Sequence, residues 1–164
     1  MAYDIYDASI PPLIHMLGSL STILSKGEAH GGIDPNDARL APDMLPLKAQ
    51  VYIATDGAKG CGARLAGVEI PKFEDTETTF AELKARVEKT IAFLKTLDRK
   101  SFAGAEGKDI VLKFPNATFE FKGGDYVGKF VLPNVYFHIT VAYGILRNRG
   151  VALGKPDYLG GAQG

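Results

Sequence analysis

The chain has 164 residues, 46% of them hydrophobic and 23% charged, with 19 basic residues against 19 acidic ones. This is the length and composition of one globular domain with room for a real core. Zero formal charge argues against a nucleic-acid binder, which must neutralise phosphates, and against a polybasic membrane-surface protein. A lone cysteine, Cys61, cannot form an internal disulfide, which fits a reducing cytoplasm. Asp4, Asp7 and Pro11-Pro12 break the basic-then-apolar order of a signal peptide, and no uninterrupted apolar run approaches the roughly 18 residues of a membrane span.

Pro12 to about Lys26 is predicted as the first helix, because Leu13, Ile14, Leu17, Leu20, Ile23 and Leu24 recur at helical spacing. Ser9 is the expected N-cap, Pro11-Pro12 fall in the first turn, and Gly27 is the expected stop. His15 lies opposite the apolar stripe and reads as solvent-facing, with a subunit contact as the alternative. His30 reads as an exposed loop residue. In the long connection that follows, Asp34-Pro35 predicts one short helical turn from Pro35 to Leu40.

The second helix is predicted from Met44 to about Ala66, capped by Asp43 with Pro46 in its first turn. Leu47, Val51, Ala54, Ala58, Cys61 and Leu65 form its inner face, and the small residues admit a close neighbour. Cys61 reads as a small buried hydrophobe, since no cationic cluster accompanies it. Gln50 lies near enough to the stripe to turn inward; Asp56 and Lys59 read as solvated. Thr79-Phe80-Ala81-Glu82 is a capping box that opens a third helix, Phe80 to about Leu97. Glu82 and Arg86 form an i, i+4 pair expected on its surface. The acidic run Glu74-Asp75-Thr76-Glu77 is expected to complement the positive end of that helix, with cation binding as the alternative.

The period then changes to two. Asp109 to Phe114 and Ala117 to Lys122, joined by Pro115-Asn116, predict a β-hairpin with one apolar face. Gly123-Gly124-Asp125 turns into a long last helix that runs to Arg147 and stops before Gly150. Pro133 is expected to bend it about one turn earlier. Asn134 and His138, one turn apart, fall on its apolar face. Buried polar groups need partners, so this pair, with Gln50, marks the candidate ligand-binding site. The alternative is purely structural: an inward His or Asn donating to carbonyls that Pro133 frees. The tail Val151 to Gly164 is expected to dock along the bundle through Leu153, Tyr158 and Leu159.

Several blocks together carry a resemblance: Tyr6-Asp7-Ala8-Ser9-Ile10-Pro11, Arg39 to Met44, Arg64 to Val68, Phe73 to Thr79, His138 to Tyr143 and Leu153 to Gly160. On these the chain resembles a bacterial domain-of-unknown-function family within the DinB/YfiT-like helical proteins. The resemblance implies an all-α fold: an up-and-down four-helix bundle, frequently dimeric, here with the small hairpin between helices 3 and 4. In the wider superfamily three histidines bind a divalent metal, one from the second helix and two from the fourth at i and i+4. His138 matches the first of that fourth-helix pair, but its i+4 position is Ala142, and the second helix has no histidine; Gln50 is its nearest polar residue. The ligand set is degenerate, with His138 its one candidate, so no cofactor is expected. Two functions follow. One is a non-catalytic or small-ligand-binding bundle, a cytoplasmic homodimer with an inward pocket around His138. The other is a metal-dependent transferase or isomerase with an altered ligand set.

Overall fold

The computed structural model describes residues 3–161. Its first helix, α1 (Ile5–His30), begins about two turns before the prolines expected to open it. Asp4, rather than Ser9, is the cap: its carboxylate accepts from the Asp7 N–H, and the Asp7 carboxylate accepts from the Asp4 N–H. Arg99 binds both carboxylates, at 2.9 Å to Asp4 and 2.5 Å to Asp7. This anchor stabilises a helical start that runs on through Pro11 and Pro12, neither of which can donate to the preceding turn. Gly27 is not the stop. It is buried inside α1, where a Cβ would come within 2.9 Å of Phe80 and 3.0 Å of Leu146. The helix ends at Gly31, with φ 75°, so the exposed His30 closes the helix instead of lying in a loop.

After a single turn, in which Ala38 N–H bonds the Asp34 carbonyl at 3.0 Å, the chain reaches α2 (Leu47–Ala66). That turn is shorter than expected. The start of α2 comes three residues later than Met44, behind Pro46 and without a side-chain cap, so Asp43 does not cap it. Helix α3 (Phe80–Lys95) has the Thr79–Glu82 capping box that was read from the sequence. The hairpin strands β1 (Asp109–Phe114) and β2 (Ala117–Lys122) pair with Ile110 opposite Phe121 and Leu112 opposite Phe119. Next come α4 (Gly123–Asp125), a wide π-helical turn over Tyr126–Val131, and α5 (Leu132–Asn148). In the wide turn Leu132 N–H reaches back five residues, to the Val127 carbonyl. Pro133 accounts for it, having no N–H to give and a ring that crowds the carbonyl one turn back.

Contacts fix the helix directions. Ser21 meets Glu88 and Glu28 meets Lys84, so α1 and α3 are antiparallel. Thr55 meets Arg86 and Gly62 packs on Leu94, so α2 and α3 are parallel. Gln50 meets His138 and Arg64 meets Tyr126, so α2 opposes the α5 rod. Helices α1 and α2 each pack chiefly on α3 and α5, which puts them on opposite corners of the four-helix bundle. Parallel neighbours need a long return: α2, at 20 residues, spans roughly 30 Å, and residues 67–79 run back along it as an extended strap.

One core fills the bundle, from Ile10, Leu13 and Leu17 through Val51, Leu83 and Leu94 to Ile139 and Ile145. By length and mean hydropathy α1 is apolar enough to cross a membrane, but half of that window is buried in the bundle, as a core helix should be. The tail docks on α1, but not through every residue expected: Val151 and Leu153 are buried and Tyr158 packs on the core, whereas Leu159 is 51% exposed and holds the tail through its carbonyl, 2.8 Å from His15 Nε2. Asp157, within the short α6 (Lys155–Tyr158), pairs with Lys26 at 2.7 Å. Residues 162–164 of that predicted tail lie outside the described residues.

Candidate functional site along the seam of α2 and α5

The seam holds three polar stations. At the first, His138 is 9% exposed and Gln50 2%, and His138 Nδ1 lies 2.7 Å from Gln50 Oε1. Gln50 Nε2 donates to the Leu45 carbonyl at 2.9 Å, which turns the amide oxygen toward the ring. An oxygen can only accept, so Nδ1 carries the hydrogen and the neutral ring keeps its lone pair on Nε2. Burial lowers the His138 pKa from 6.5, favouring that neutral form. Of the two ring nitrogens, Nδ1 alone has a hydrogen-bond partner among the described residues.

Asn134 stands apart from this pair. It lies one turn earlier on α5, at the second station, beside Gly57. There it lines a cleft of about 360 Å³ with Ile53, Asp56, Arg64, Leu112, Phe114, Tyr126 and Phe130. His138 and Gln50 do not line it. The cleft is bounded by α2, the π-helical turn and the hairpin, so the wide turn and the strand pairing together shape its wall. Among the described residues no side-chain polar atom is both buried and unpartnered. The half-buried Asn134 amide, which makes no hydrogen bond to them, therefore opens on the cleft.

The third station closes the far end. Arg64 Nη1 donates to the Tyr126 hydroxyl at 3.0 Å. The guanidinium folds back over Gly60, where a Cβ would come within 2.4 Å of Nη1, so a side chain there would make the guanidinium move. Tyr126 is 1% exposed, and burial pushes its phenol up to about 12. The cleft's carboxylate, Asp56, faces two cations, Arg86 at 2.9 Å and Lys59 at 2.9 Å.

Arg86 is the residue that sequence reasoning misplaced. It is 2% exposed and is not a surface partner of Glu82. Its Nε donates to Thr55 Oγ1 at 2.8 Å and its Nη2 to Asp56 at 2.9 Å. Its Nη1 reaches the Glu74 carbonyl, Asp75 and Glu77 at 3.2, 3.0 and 3.1 Å. The acidic run therefore meets a cation from within the chain, rather than the helix end. Lys59, read as solvated, is 5% exposed and lies 3.9 Å from the Phe73 ring centroid. Together these groups pin the returning strap to α2 and α3. Helix periodicity could not reveal this, because the partners come from the strap and the neighbouring helix.

Metal chemistry finds no matching donor set. Among the described residues no three His, Cys, Asp or Glu side chains gather where they could hold an ion. His138 has Gln50 on one nitrogen, and Ala142, at the position of a second imidazole, is fully buried in the core. These residues do not fit the three-histidine site that the resemblance implies. Cys61 is buried, and burial pushes its thiol up to about 12, which removes it as a nucleophile near neutral pH.

Comparison with known proteins agrees with the fold. Residues 5–159 match the family described as Domain of unknown function (DUF1993). The crystal structure of a DinB family member protein from Shewanella denitrificans superposes with a TM-score of 0.86 at 37% identity, covering 97% of this chain and 93% of that one. No curated protein matches.

Proposed function

The chain belongs to the DUF1993 family and has a DinB-like fold, and from that premise we propose that it is a small-ligand-binding bundle whose ligand occupies the cleft between α2, the π-helical turn and the hairpin. One observation carries this reading. Arg64, Tyr126 and Asn134 line one concave space with hydrogen-bonding capacity that no described residue closes, against an apolar wall of Ile53, Leu112, Phe114 and Phe130. Concave, mostly apolar sites with a few convergent polar groups are where small ligands bind. The pocket first expected around His138 thus moves one turn along α5, to Asn134. His138 and Gln50 serve it as the rigid end of the seam.

A protein-observed NMR screen of small fragments tests this. Shifts clustering on Tyr126, Phe130 and Asn134 are expected; a response that avoids these residues removes the reading. A cytoplasmic homodimer completes it, and sedimentation at micromolar concentration decides that part, since a species of monomer mass removes the dimer. Elemental analysis of tag-free protein should return far less than one equivalent of zinc or nickel. A stoichiometric metal that His138→Ala releases would replace this reading with a metal-dependent one.

A further inference from the structure

We propose that the cleft's ligand is an amphipathic monocarboxylate, an aryl- or alkyl-bearing acid whose carboxylate sits on Arg64 and Tyr126 and whose apolar body lies against Phe114 and Phe130. This rests on the cleft being the ligand site and names the chemistry it selects. Charge decides the sign of the ligand. The cleft is lined by one cation and one anion, Arg64 and Asp56. Asp56 is held by both Arg86 and Lys59, whereas among the described residues Arg64 has no carboxylate within 4.0 Å. The cation at the Arg64 end is therefore the one left without a carboxylate, which favours a negative group there over a positive one.

Geometry decides the group. Arg64 has five N–H donors in a planar fork, and Tyr126 occupies one of them. Such a fork matches a carboxylate, with two parallel hydrogen bonds. Tyr126 accepts from Arg64, so its own hydrogen remains to be donated; the phenol stays protonated because burial disfavours its anion. The Asn134 amide adds a third donor nearby. A single cation suits a single negative charge better than a phosphate dianion. Beside the polar end, Phe130 lies 6.1 Å from Tyr126 and 6.5 Å from Phe119, ring centroid to ring centroid, in an aromatic wall that suits an apolar tail.

Titration of the full chain at low salt with 3-phenylpropanoate and its neutral amide, 3-phenylpropanamide, followed by NMR, tests the inference. The acid should bind about tenfold or more tightly than the amide, the value of a charge-assisted hydrogen bond. Arg64→Gln should bring the two near parity, and Tyr126→Phe should weaken the acid by roughly threefold to tenfold. Equal binding of acid and amide by the wild-type chain overturns the carboxylate assignment and leaves the cleft as a ligand site. Shifts from neither compound overturn the assignment and the ligand-site reading together. The wild-type comparison stands by itself if Arg64→Gln fails to fold.

Discussion

Arg86 and Arg64 lie against the same helix, each close to a tyrosine ring, at 4.8 Å from Tyr52 and 6.0 Å from Tyr126. Their surroundings differ in one respect. Arg86 is closed: a hydroxyl, a carbonyl and three carboxylates answer its donors, and the strap they belong to is held in place. Arg64 is open, with one neutral oxygen answering its fork and a cleft in front of it. A half-buried charge is evidence of a site only where the protein leaves its hydrogen bonding incomplete. By that test the more deeply buried arginine is architecture, and the less buried one is the functional candidate.

The largest effect should come from opening the closed site. Arg86→Ala should destabilise the fold by about 3–5 kcal/mol, the range for removing one partner of a buried ion pair. The low end is favoured, because Asp56 and Asp75 are 46% and 56% exposed and can hydrate once released. Urea melts measure the loss, and limited proteolysis should cut within residues 68–78 faster once the strap is released. A cost below about 1 kcal/mol would mean that the strap holds without Arg86, and the contrast between the two arginines would fail.

Local signals were legible and tertiary ones were not. The Thr79–Glu82 capping box and the two hairpin strands depend on neighbours in sequence, and both stand as read. Gln50 and His138 each lie on an apolar face, and a buried amide and imidazole find each other. Arg86 failed the same reading because its i, i+4 relation to Glu82 mimics a surface pair, while its true partners arrive from the strap. The start of α1 failed because Pro11-Pro12 mark a beginning by propensity, yet the Asp4–Asp7 box and Arg99 override them. Asn134 shares a helix face with His138, but it is half-buried and opens on the cleft shaped by the π-helical turn.

Next in size is His138→Ala, at about 1–3 kcal/mol, because it strands the Gln50 amide oxygen and opens a cavity. The same residue sets a pH dependence. Its folded pKa lies below the ordinary 6.5, so the unfolded chain binds the extra proton first. The neutral ring's contribution is therefore complete well above pH 6.5 and declines as pH falls from there toward the folded pKa. The difference in stability between wild type and His138→Ala should shrink on going from pH 7.5 to pH 5.5. A constant difference would mean that the ring's protonation is not coupled to folding.

Arg64→Gln sharpens the comparison from the other side. One hydrogen bond from the guanidinium to the neutral Tyr126 hydroxyl is lost from a half-buried site, so the cost should be about 1.5 kcal/mol, the low end for a charge-assisted bond and below that of Arg86→Ala, while acid binding collapses. A loss equal to that of Arg86→Ala would make Arg64 a second structural clamp.

His15→Ala should have the smallest effect, under about 0.5 kcal/mol, as for most exposed positions. His15 does have a partner, the Leu159 carbonyl at 2.8 Å, so it is more than a bare surface ring. That carbonyl is exposed and can bond to water instead, so no desolvated acceptor is stranded. The tail is also held independently, by Lys26 on Asp157 and by the buried Val151 and Leu153. Global urea melts should barely move, while amide exchange at Tyr158 to Gly160 should quicken, since the lost bond acts on that turn alone. A global loss as large as that of His138→Ala would show that docking of the tail is part of the cooperative core, and that closed polar contacts on the surface can carry as much as those inside.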